Sequence, residues 1–243
     1  MKGRFLDAVI AAGREARSVA LATDIKSGAQ LLLEAKAGGE RTEGDLSLDE
    51  AGIGDVRAAL RADRNRLIET SAGSRVFVQV FSPPRRCFVI GAVHIAQPLV
   101  PMLISADYRP IVIDPRGAWA TEARFPGVEL SSEWPDEALE RLKPDRASAV
   151  VALTHDPKID DPGLTVALRS EAFYIGALGS RRTHAKRLER LRELGFGDNQ
   201  LARIHAPVGL NIGAVSQAEI AVSILAEMTQ VLRQIQSAKA EAA

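Results

Sequence analysis

The sequence predicts an α/β fold, in which a doubly wound parallel sheet follows a small N-terminal α+β domain. From Cys87 to Gly195, short apolar runs alternate with amphipathic helical segments, which is the order of parallel strands and crossover helices. The first run is apolar throughout, as a strand buried on both faces is. A segment rich in proline and arginine, residues 82–86, precedes it and marks a boundary. We therefore predict a small α+β domain over residues 1–81 and a Rossmann-like domain over residues 87–243.

The N-terminal domain is predicted to combine two helices with three strands. Helical spacing of apolar residues predicts the first helix over residues 3–17, and the second is predicted over residues 47–63. Ser47 and Glu50 have the spacing of a capping box at the start of the second helix. A turn is expected at Gly38-Gly39. Runs of strand-forming residues predict strands over residues 18–23, 30–36 and 75–81.

The elements of the Rossmann-like domain follow from the same apolar periodicity. Apolar runs predict strands over residues 87–90, 109–113, 128–130, 147–153 and 172–175. Helices are predicted over residues 94–106, 135–142, 161–169, 180–194 and 217–235. Asp161 and Pro162 have the pattern of an N-cap followed by proline at the first helical position. Ser216 and Glu219 have the pattern of a capping box for the last helix.

Composition restricts the partners and the compartment. The chain has 31 Lys+Arg and 31 Asp+Glu residues, so its formal net charge is zero, and no overall basic field attracts nucleic acid or an anionic membrane. No stretch has the ~18 apolar residues of a membrane span, and charged residues interrupt the N-terminal segment, unlike a signal peptide. The single cysteine, Cys87, excludes an intramolecular disulfide and favours a reducing compartment. We expect a cytoplasmic protein in which Cys87 is an inert, buried residue.

The first candidate ligand loop, Gly91–Ala96, connects the first strand of the predicted sheet to its helix. Dinucleotide-binding loops at this place need a second glycine so that the backbone can approach a pyrophosphate. Val93 occupies that position, and its β-branched side chain fills the space. The loop is interpreted either as a ligand site around Gly91 and His94 or as a tight turn, in which His94 caps its own helix.

Asp114 ends the second predicted strand, 23 residues after Gly91 (114 − 91). The acid that binds the ribose of a dinucleotide lies about 20 residues after the glycine loop, so Asp114 is a candidate for binding hydroxyl groups. It is equally a common turn former ahead of Pro115. Arg116 is a candidate for contact with a phosphate.

The clearest predicted strand is followed by Thr-His-Asp-Pro-Lys-Ile-Asp-Asp, residues 154–161. Ligands bind at the carboxyl edge of such a sheet, which makes His155 and Asp156 candidates for ligand contact or general acid–base chemistry. A histidine with three carboxylates is also a combination found at metal sites. The alternative is ordinary loop and helix-cap chemistry, and we assign no metal site.

The most informative segment runs from a predicted strand through two glycines into a basic helix. Gly176 and Gly179 are expected to let the chain turn, without a Cβ that blocks a ligand. Free N–H groups and the helix dipole favour an anion at such a helix start. Ser180 can cap the helix or bind the ligand, and Arg181 and Arg182 can hold phosphate oxygens. The alternative is a solvated basic helix, because further Lys and Arg residues follow.

Taken together, these segments resemble the XdhC/CoxI family of accessory proteins, which mature molybdenum hydroxylases such as xanthine dehydrogenase. The resemblance extends over about residues 88–227, and its most specific stretches are FYIGALGSRRTH and HAPVGLNIGA. Further matching stretches are IGAVHIAQPL, IDPRGAWATEARFPG and LTHDPKIDDPGL. The sequence departs from the family pattern at Val93, where a second glycine is usual, and in residues 1–86, which lack the usual Ser-Gly-Gly-Cys segment.

The resemblance implies a Rossmann domain that binds molybdenum cofactor (molybdopterin). It also implies delivery of that cofactor, after sulfuration by a cysteine desulfurase, to an apo molybdenum hydroxylase of the xanthine dehydrogenase type. The phosphate of molybdopterin fits an anion site at Gly179–Arg182, and such a chaperone need not catalyse a reaction. An NAD(P)-dependent oxidoreductase is the alternative, which Asp114 favours and Val93 disfavours; a scaffold that has lost its ligand is a third. The sequence leaves the oligomeric state open, with a homodimer as one alternative.

Overall fold

The computed structural model describes residues 3–15, 17–36 and 39–241, without the side chains of residues 35, 36 and 239–241. It divides into two compact units, one comprising Met1–Pro83 and Arg233–Ala243 and the other Pro84–Leu232. The C-terminal residues are predicted to belong to the Rossmann-like domain, but from Arg233 on they are part of the first unit. The last helix continues through this position without a break, so no sequence signal marks the change.

The first unit is built on a five-stranded antiparallel sheet with one helix on each face. Its strands, in the sheet order β3-β2-β1-β5-β4, are β1 (Val19–Asp24), β2 (Gln30–Lys36), β3 (Gly39–Gly44), β4 (Arg66–Glu69) and β5 (Arg75–Phe81). The helices are α1 (Gly3–Arg14) and α2 (Glu50–Ala62). Ala20 and Ala22 of β1 pack with α2, whereas Val19 and Leu21 pack with α1, because successive side chains of a strand point to opposite faces.

The sequence analysis missed two strands of this unit and misplaced one helix cap. β3 and β4 are the edge strands, and β3 consists largely of exposed polar residues, so it lacks the apolar alternation that identifies a strand. Asp49 caps α2, because its carboxylate accepts the Gly52 N–H at 2.9 Å. The predicted capping box of Ser47 and Glu50 is therefore wrong. Gly38, in the predicted turn, lies outside the described residues.

The second unit contains a six-stranded parallel sheet in the order β11-β10-β9-β6-β7-β8. Its strands are β6 (Arg85–Ile90), β7 (Tyr108–Ile113), β8 (Glu129–Ser131), β9 (Ser148–Ala152), β10 (Tyr174–Ala177) and β11 (Ile204–His205). Its helices are α3 (Ala96–Ser105), α4 (Pro135–Leu142), α5 (Pro157–Arg169), α6 (Arg181–Glu193), α7 (Asp198–Leu201) and the start of α8 (Gln217–Glu241). The predicted fold class, a Rossmann-like doubly wound parallel sheet with a small α+β unit, is confirmed.

Apolar clusters cover both faces of this parallel sheet. Phe88 and Ile90 of β6 belong to a cluster completed by α4, α5 and α6. Cys87 and Val89 point the other way, into a cluster completed by α3 and α8. Burial raises the pKa of the Cys87 thiol, so this side chain stays protonated and packs as a small apolar group.

The strand order creates a topological switch point between β6 and β9. From β6 the sheet continues through β7 and β8 on one side, and through β9, β10 and β11 on the other. In open α/β sheets, ligands bind in the crevice at the carboxyl ends of the strands at such a point. The fold therefore indicates that a ligand site lies among the loops that leave this edge.

One predicted cap of this unit is wrong and another is confirmed. α5 begins at Pro157, and Asp156 is its N-cap. Asp161 therefore does not cap the helix; its carboxylate instead accepts a hydrogen bond from Arg190 on α6 at 3.1 Å, and Pro162 lies inside α5. The box at the start of α8 has both hydrogen bonds, from the Ser216 N–H to Glu219 at 2.9 Å and from the Glu219 N–H to Ser216 at 3.2 Å.

Short elements account for the strands and helices missed in this unit. The sequence analysis missed the four-residue α7 and the two-residue β11, because neither is long enough to show a period.

Across the described parts of the chain, no helix combines the length and the apolar character needed to cross a membrane.

Candidate functional site

Four loops, after β6, β7, β9 and β10, leave the carboxyl edge of the parallel sheet. These loops and the first turn of α6 carry most of the predicted site residues, namely Gly91, His94, Asp114, Arg116, His155, Asp156, Gly179, Ser180, Arg181 and Arg182. Gly176 lies instead within β10, where an added Cβ would come within 2.6 Å of Val208 Cγ2. This glycine makes room for a packed neighbour and does not form the turn that the sequence analysis gave it.

The Gly91 loop is held closely by its surroundings. Gly91 has φ +99, and an added Cβ would lie 2.4 Å from Thr154 Cγ2, so glycine is required both by the backbone conformation and by the space. The Ala92 carbonyl accepts a hydrogen bond from Arg124 at 2.7 Å. Val93 packs against the apolar cluster that contains α3. His94 is exposed, and the N-cap of α3 is Ile95, so His94 does not cap its helix.

Asp114 is fully buried beside the Gly91 loop and is engaged by the protein on both oxygens. Oδ2 accepts the Ala92 N–H at 2.8 Å, and Arg116 donates to both oxygens, from Nε at 2.9 Å and from Nη2 at 2.8 Å. Burial opposes ionisation, but the hydrogen bonds from Arg116 and Ala92 outweigh it and hold the pKa of Asp114 below its usual range. A ribose hydroxyl would have to compete with these partners, so Asp114 is better described as the residue that orders the Gly91 loop.

The loop after β9 presents His155 and anchors itself through its neighbours. His155 is exposed and has φ +65, a left-handed conformation that is uncommon for a residue with a side chain. The Thr154 hydroxyl donates to buried Asp160 at 2.6 Å, and Asp156 accepts the Lys158 N–H at 2.9 Å as the cap of α5. Within residues 3–15, 17–36 and 39–241, no three His, Cys, Asp or Glu side chains are placed to hold a metal ion.

The loop after β10 has the features of an anion site. Ser180 caps α6 by accepting the Thr183 N–H at 3.1 Å, and Arg181 and Arg182 are exposed at the helix start. Gly179 has φ +142. In the described part of the chain, the N–H groups of residues 179–182 have no protein acceptor. Several backbone donors, the positive end of the helix dipole and two guanidinium groups are thus available to one ligand.

Arg187 is a further residue of this region that the sequence analysis left among the solvated charges of α6. It is only 2 % exposed, and its Nη2 donates to the Leu178 carbonyl at 3.1 Å and lies 3.5 Å from Asp160 Oδ2. Burial raises the pKa of Asp160, although the Thr154 hydrogen bond and the Arg187 charge oppose the shift. The sequence signal for the burial of Arg187 is its spacing from Leu191, because the two residues lie one turn apart on the buried face of α6.

A second missed group joins β10, the segment after β11 and α8. The Glu227 carboxylate accepts hydrogen bonds from the Tyr174 hydroxyl, from the Gly209 N–H at 2.8 Å and from His205 Nδ1 at 3.3 Å. The rings of Tyr174 and His205 stack with their centroids 4.7 Å apart. Burial opposes ionisation of Glu227, but these hydrogen bonds lower its pKa. The group fixes the glycine-rich segment that precedes α8.

Comparison with known proteins agrees with this architecture. The XdhC Rossmann domain matches residues 87–228. The molybdenum cofactor insertion chaperone PaoD of Escherichia coli is 42% identical over 87 residues, which are 36% of this chain and 27% of PaoD. A Bacillus subtilis protein named as a probable xanthine dehydrogenase component is 31% identical over 163 residues, which are 67% of this chain and 47% of that protein. The chain spans less than half the length of these curated relatives.

A solved structure supports the fold of the whole chain. A crystal structure described as a xanthine dehydrogenase from Bacillus halodurans superposes with a TM-score of 0.76, covering 97% of this chain and 68% of that one at 22% sequence identity. The family model covers more than half of the chain, from β6 into α8, and includes all four loops of the candidate site. The resemblance seen in the sequence is confirmed, and the chain belongs to the XdhC family.

Proposed function

We propose that this chain binds molybdenum cofactor and serves as a chaperone in the maturation of molybdenum hydroxylases of the xanthine dehydrogenase type. Membership of the XdhC family supports the proposal, as does the name of PaoD, a molybdenum cofactor insertion chaperone. The proposal requires the chain to bind, shield and release the cofactor. It does not require a reaction catalysed by the chain itself.

The proposal rests on the open N–H groups and the two exposed arginines at the start of α6. Molybdopterin ends in a phosphate, and the N–H groups of residues 179–182 are free of protein acceptors in the described structure. Arg181 and Arg182 add two exposed guanidinium groups, whose forked donors suit phosphate oxygens. These residues would hold the phosphate. His94, His155 and Arg116, at the same edge of the sheet, would supply polar contacts to the rest of the cofactor.

The partners follow from the proposed role. An apo molybdenum hydroxylase would receive the cofactor, and the Bacillus subtilis relative, named for a probable xanthine dehydrogenase, supports this class of partner. A cysteine desulfurase would sulfurate the cofactor before delivery. We place this exchange in the cytoplasm, since the one cysteine of the chain is buried and free and no disulfide requires an oxidising compartment.

The test is a calorimetric titration of the protein with molybdopterin. Arg181→Ala/Arg182→Ala should weaken binding about ten-fold or more, because a charge-assisted hydrogen bond contributes about 1.5–3 kcal/mol and ~1.4 kcal/mol is a factor of ten. The matched control is Lys186→Ala/Arg192→Ala, which removes the same charge from the same helix away from its start. Its affinity should stay within about two-fold of wild type, since long-range charge effects are screened.

Three results would contradict the proposal. One is a wild-type protein that does not bind molybdopterin, and another is equal binding by both double variants and wild type. The third is saturable binding of NADH with turnover of a carbonyl substrate, which would favour an NAD(P)-dependent oxidoreductase. The engagement of Asp114 by Arg116 and Ala92 argues against that alternative, because the residue that would bind ribose is already occupied.

A further inference from the structure

The guanidinium of Arg187 reaches back to the start of α6, although its Cα lies seven residues after Ser180 (187 − 180). Long helical side chains lean toward the helix N-terminus, and Nη2 of Arg187 accordingly reaches the Leu178 carbonyl at 3.1 Å. The side chain is 2 % exposed. A buried guanidinium is therefore held beside the loop in which, among the described residues, the N–H groups of residues 179–182 have no protein acceptor.

The protein satisfies this guanidinium only in part. Nε and Nη1 of Arg187 are buried and have no hydrogen-bond partner in the described structure. The nearest carboxylate oxygens are Asp160 Oδ2 at 3.5 Å from Nη2 and Asp161 Oδ1 at 3.8 Å from Nε. Asp161 also accepts from Arg190, and the other oxygen of Asp160 accepts from Thr154. Buried polar groups are normally paired, so the open donors of Arg187 point to a missing partner.

Gly179 is the loop residue that lies beside one of these donors. A Cβ built on Gly179 would lie 3.9 Å from Arg187 Nη1 and 3.2 Å from Thr183 Cβ. The face of Gly179 that lacks a side chain is thus turned toward the unpartnered nitrogen. Because glycine has no Cβ, the backbone of the loop can lie against this buried nitrogen.

We infer that Arg187 is a ligand-binding residue of this site, and that Arg187 and the N–H groups of residues 179–182 together take a phosphate monoester dianion. The inference rests on the proposed function in identifying that phosphate with the one on molybdenum cofactor. Arg181 and Arg182 contribute from the solvent side, where salt screens them, while the Arg187 contact is buried and is screened much less.

The first test uses the wild-type protein and inorganic phosphate, followed by ¹⁵N NMR. Saturable shifts are expected for the backbone amides of residues 179–182 and for the side-chain resonances of Arg187, with those of Arg192 unmoved. Absence of saturable binding, or shifts of the amides with the Arg187 side chain unaffected, would overturn the inference. This measurement needs no substitution and does not depend on the stability of a variant.

The second test compares two conservative variants on the same helix. Arg187→Lys keeps a cation beside Asp160 but removes the forked donors, and it should bind inorganic phosphate about ten-fold more weakly, or ~1.4 kcal/mol. Arg190→Lys is the matched control, because Arg190 also pairs with Asp161 but has no buried nitrogen without a partner. The Arg190→Lys variant should bind inorganic phosphate as wild type does. Equal losses in both variants would mean a structural effect, and no loss in either would exclude Arg187 from the site.

The salt dependence of phosphate binding and a titration with molybdopterin provide two further tests. The loss caused by Arg187→Lys should persist between low and high salt, whereas that caused by Arg181→Ala/Arg182→Ala should shrink; the reverse would overturn the assignment. Molybdopterin then separates the two proposals. Phosphate binding that needs Arg187, without binding of molybdopterin, would retain this site and reject the proposed function. Equal binding of molybdopterin by wild type and Arg187→Lys would instead retain the proposed function and reject the role of Arg187.

Discussion

The loops after β6 and β10 make the same kind of connection beside buried charges of opposite sign. Each joins a parallel strand to a helix through a glycine of positive φ, +99 at Gly91 and +142 at Gly179. Beside the first lies the buried carboxylate of Asp114, which accepts the Ala92 N–H. Beside the second lies the buried guanidinium of Arg187, which donates to the Leu178 carbonyl.

The difference shows what makes a glycine loop suitable for an anion. In the first loop, the protein supplies its own carboxylate to a backbone donor, so the Ala92 N–H is not available to a second anion. In the second loop, the described N–H groups of residues 179–182 remain free, and the side chain that bonds to the loop backbone is the guanidinium of Arg187, which is paired with buried Asp160. Glycine permits both turns, and on the proposed phosphate site the charge of the side chain bonded to each loop distinguishes the two.

The largest expected effect comes from filling the space at Gly91. Gly91→Ala should lower the free energy of unfolding by about 2–6 kcal/mol, because it adds overpacking of about 1–3 kcal/mol to backbone strain of about 1–3 kcal/mol. The Cβ would lie 2.4 Å from Thr154 Cγ2. Urea denaturation of Gly127→Ala is the control, since Gly127 has φ +70 with open space around it. A loss at Gly91 no larger than at Gly127 would show that Thr154 does not close the first loop.

An intermediate effect is expected when Asp114 loses its charge. Asp114→Asn should lower the free energy of unfolding at pH 7 by about 1–3 kcal/mol. The folded pKa of Asp114 is lowered, so its contribution is present above the unfolded pKa of about 3.9 and is lost as the pH falls through the folded value. The gap between variant and wild type should therefore narrow below about pH 4.

The control for Asp114 is an exposed pair of the same chemistry. Asp198 and Arg192 form a surface ion pair at 3.1 Å, and Asp198→Asn should change the free energy of unfolding by no more than about 1 kcal/mol. Urea denaturation at pH 7, 5 and 3 would compare the two variants. If they behave alike, burial of Asp114 adds nothing to its pairing, and the contrast between the two loops loses its electrostatic basis.

The smallest expected effect concerns Val93. Val93→Gly restores the glycine that dinucleotide-binding loops carry and should cost about 1 kcal/mol through added backbone freedom. We expect no saturable binding of NADH in a fluorescence titration, because Asp114 still occupies the Ala92 N–H. Val93→Ala controls for lost volume without the new glycine. Tight NADH binding by Val93→Gly alone would mean that the missing glycine, and not the carboxylate, closed the first loop.

The local sequence pattern was sufficient to predict the main helices and strands. It was insufficient to predict the edge strands of the sheet and the helix caps. The strand of residues 75–81 and the helix of residues 135–142 have the predicted bounds, because each shows its period over its whole length. The polar edge strand β3 has no such period. Residue spacing predicts Ser47 and Asp161 as the caps of α2 and α5, whereas the structure has Asp49 and Asp156 at these positions, both in extended backbone conformation.

The candidate site could likewise be predicted from the sequence only in part. Placement of Gly91, Asp114, His155 and Ser180 after the carboxyl ends of four parallel strands followed from the alternation of strands and helices. The engagement of Asp114 could not be predicted, since a strand-end aspartate has the same sequence pattern whether it binds a ribose or its own chain. Arg187 was indistinguishable from the charged residues around it, and only packing shows that it is buried.

By itself, the sequence determined the parallel sheet, the edge at which its loops collect and the family to which the chain belongs, because apolar periodicity and short motifs are local properties. Only the tertiary structure decided which charges are buried and which donors remain open. Arg187 meets Asp160 across 27 residues of sequence, and Tyr174 meets Glu227 across 53. Such pairs depend on how helices pack on the sheet, and the cost of burying a charge is set by the partners that packing provides.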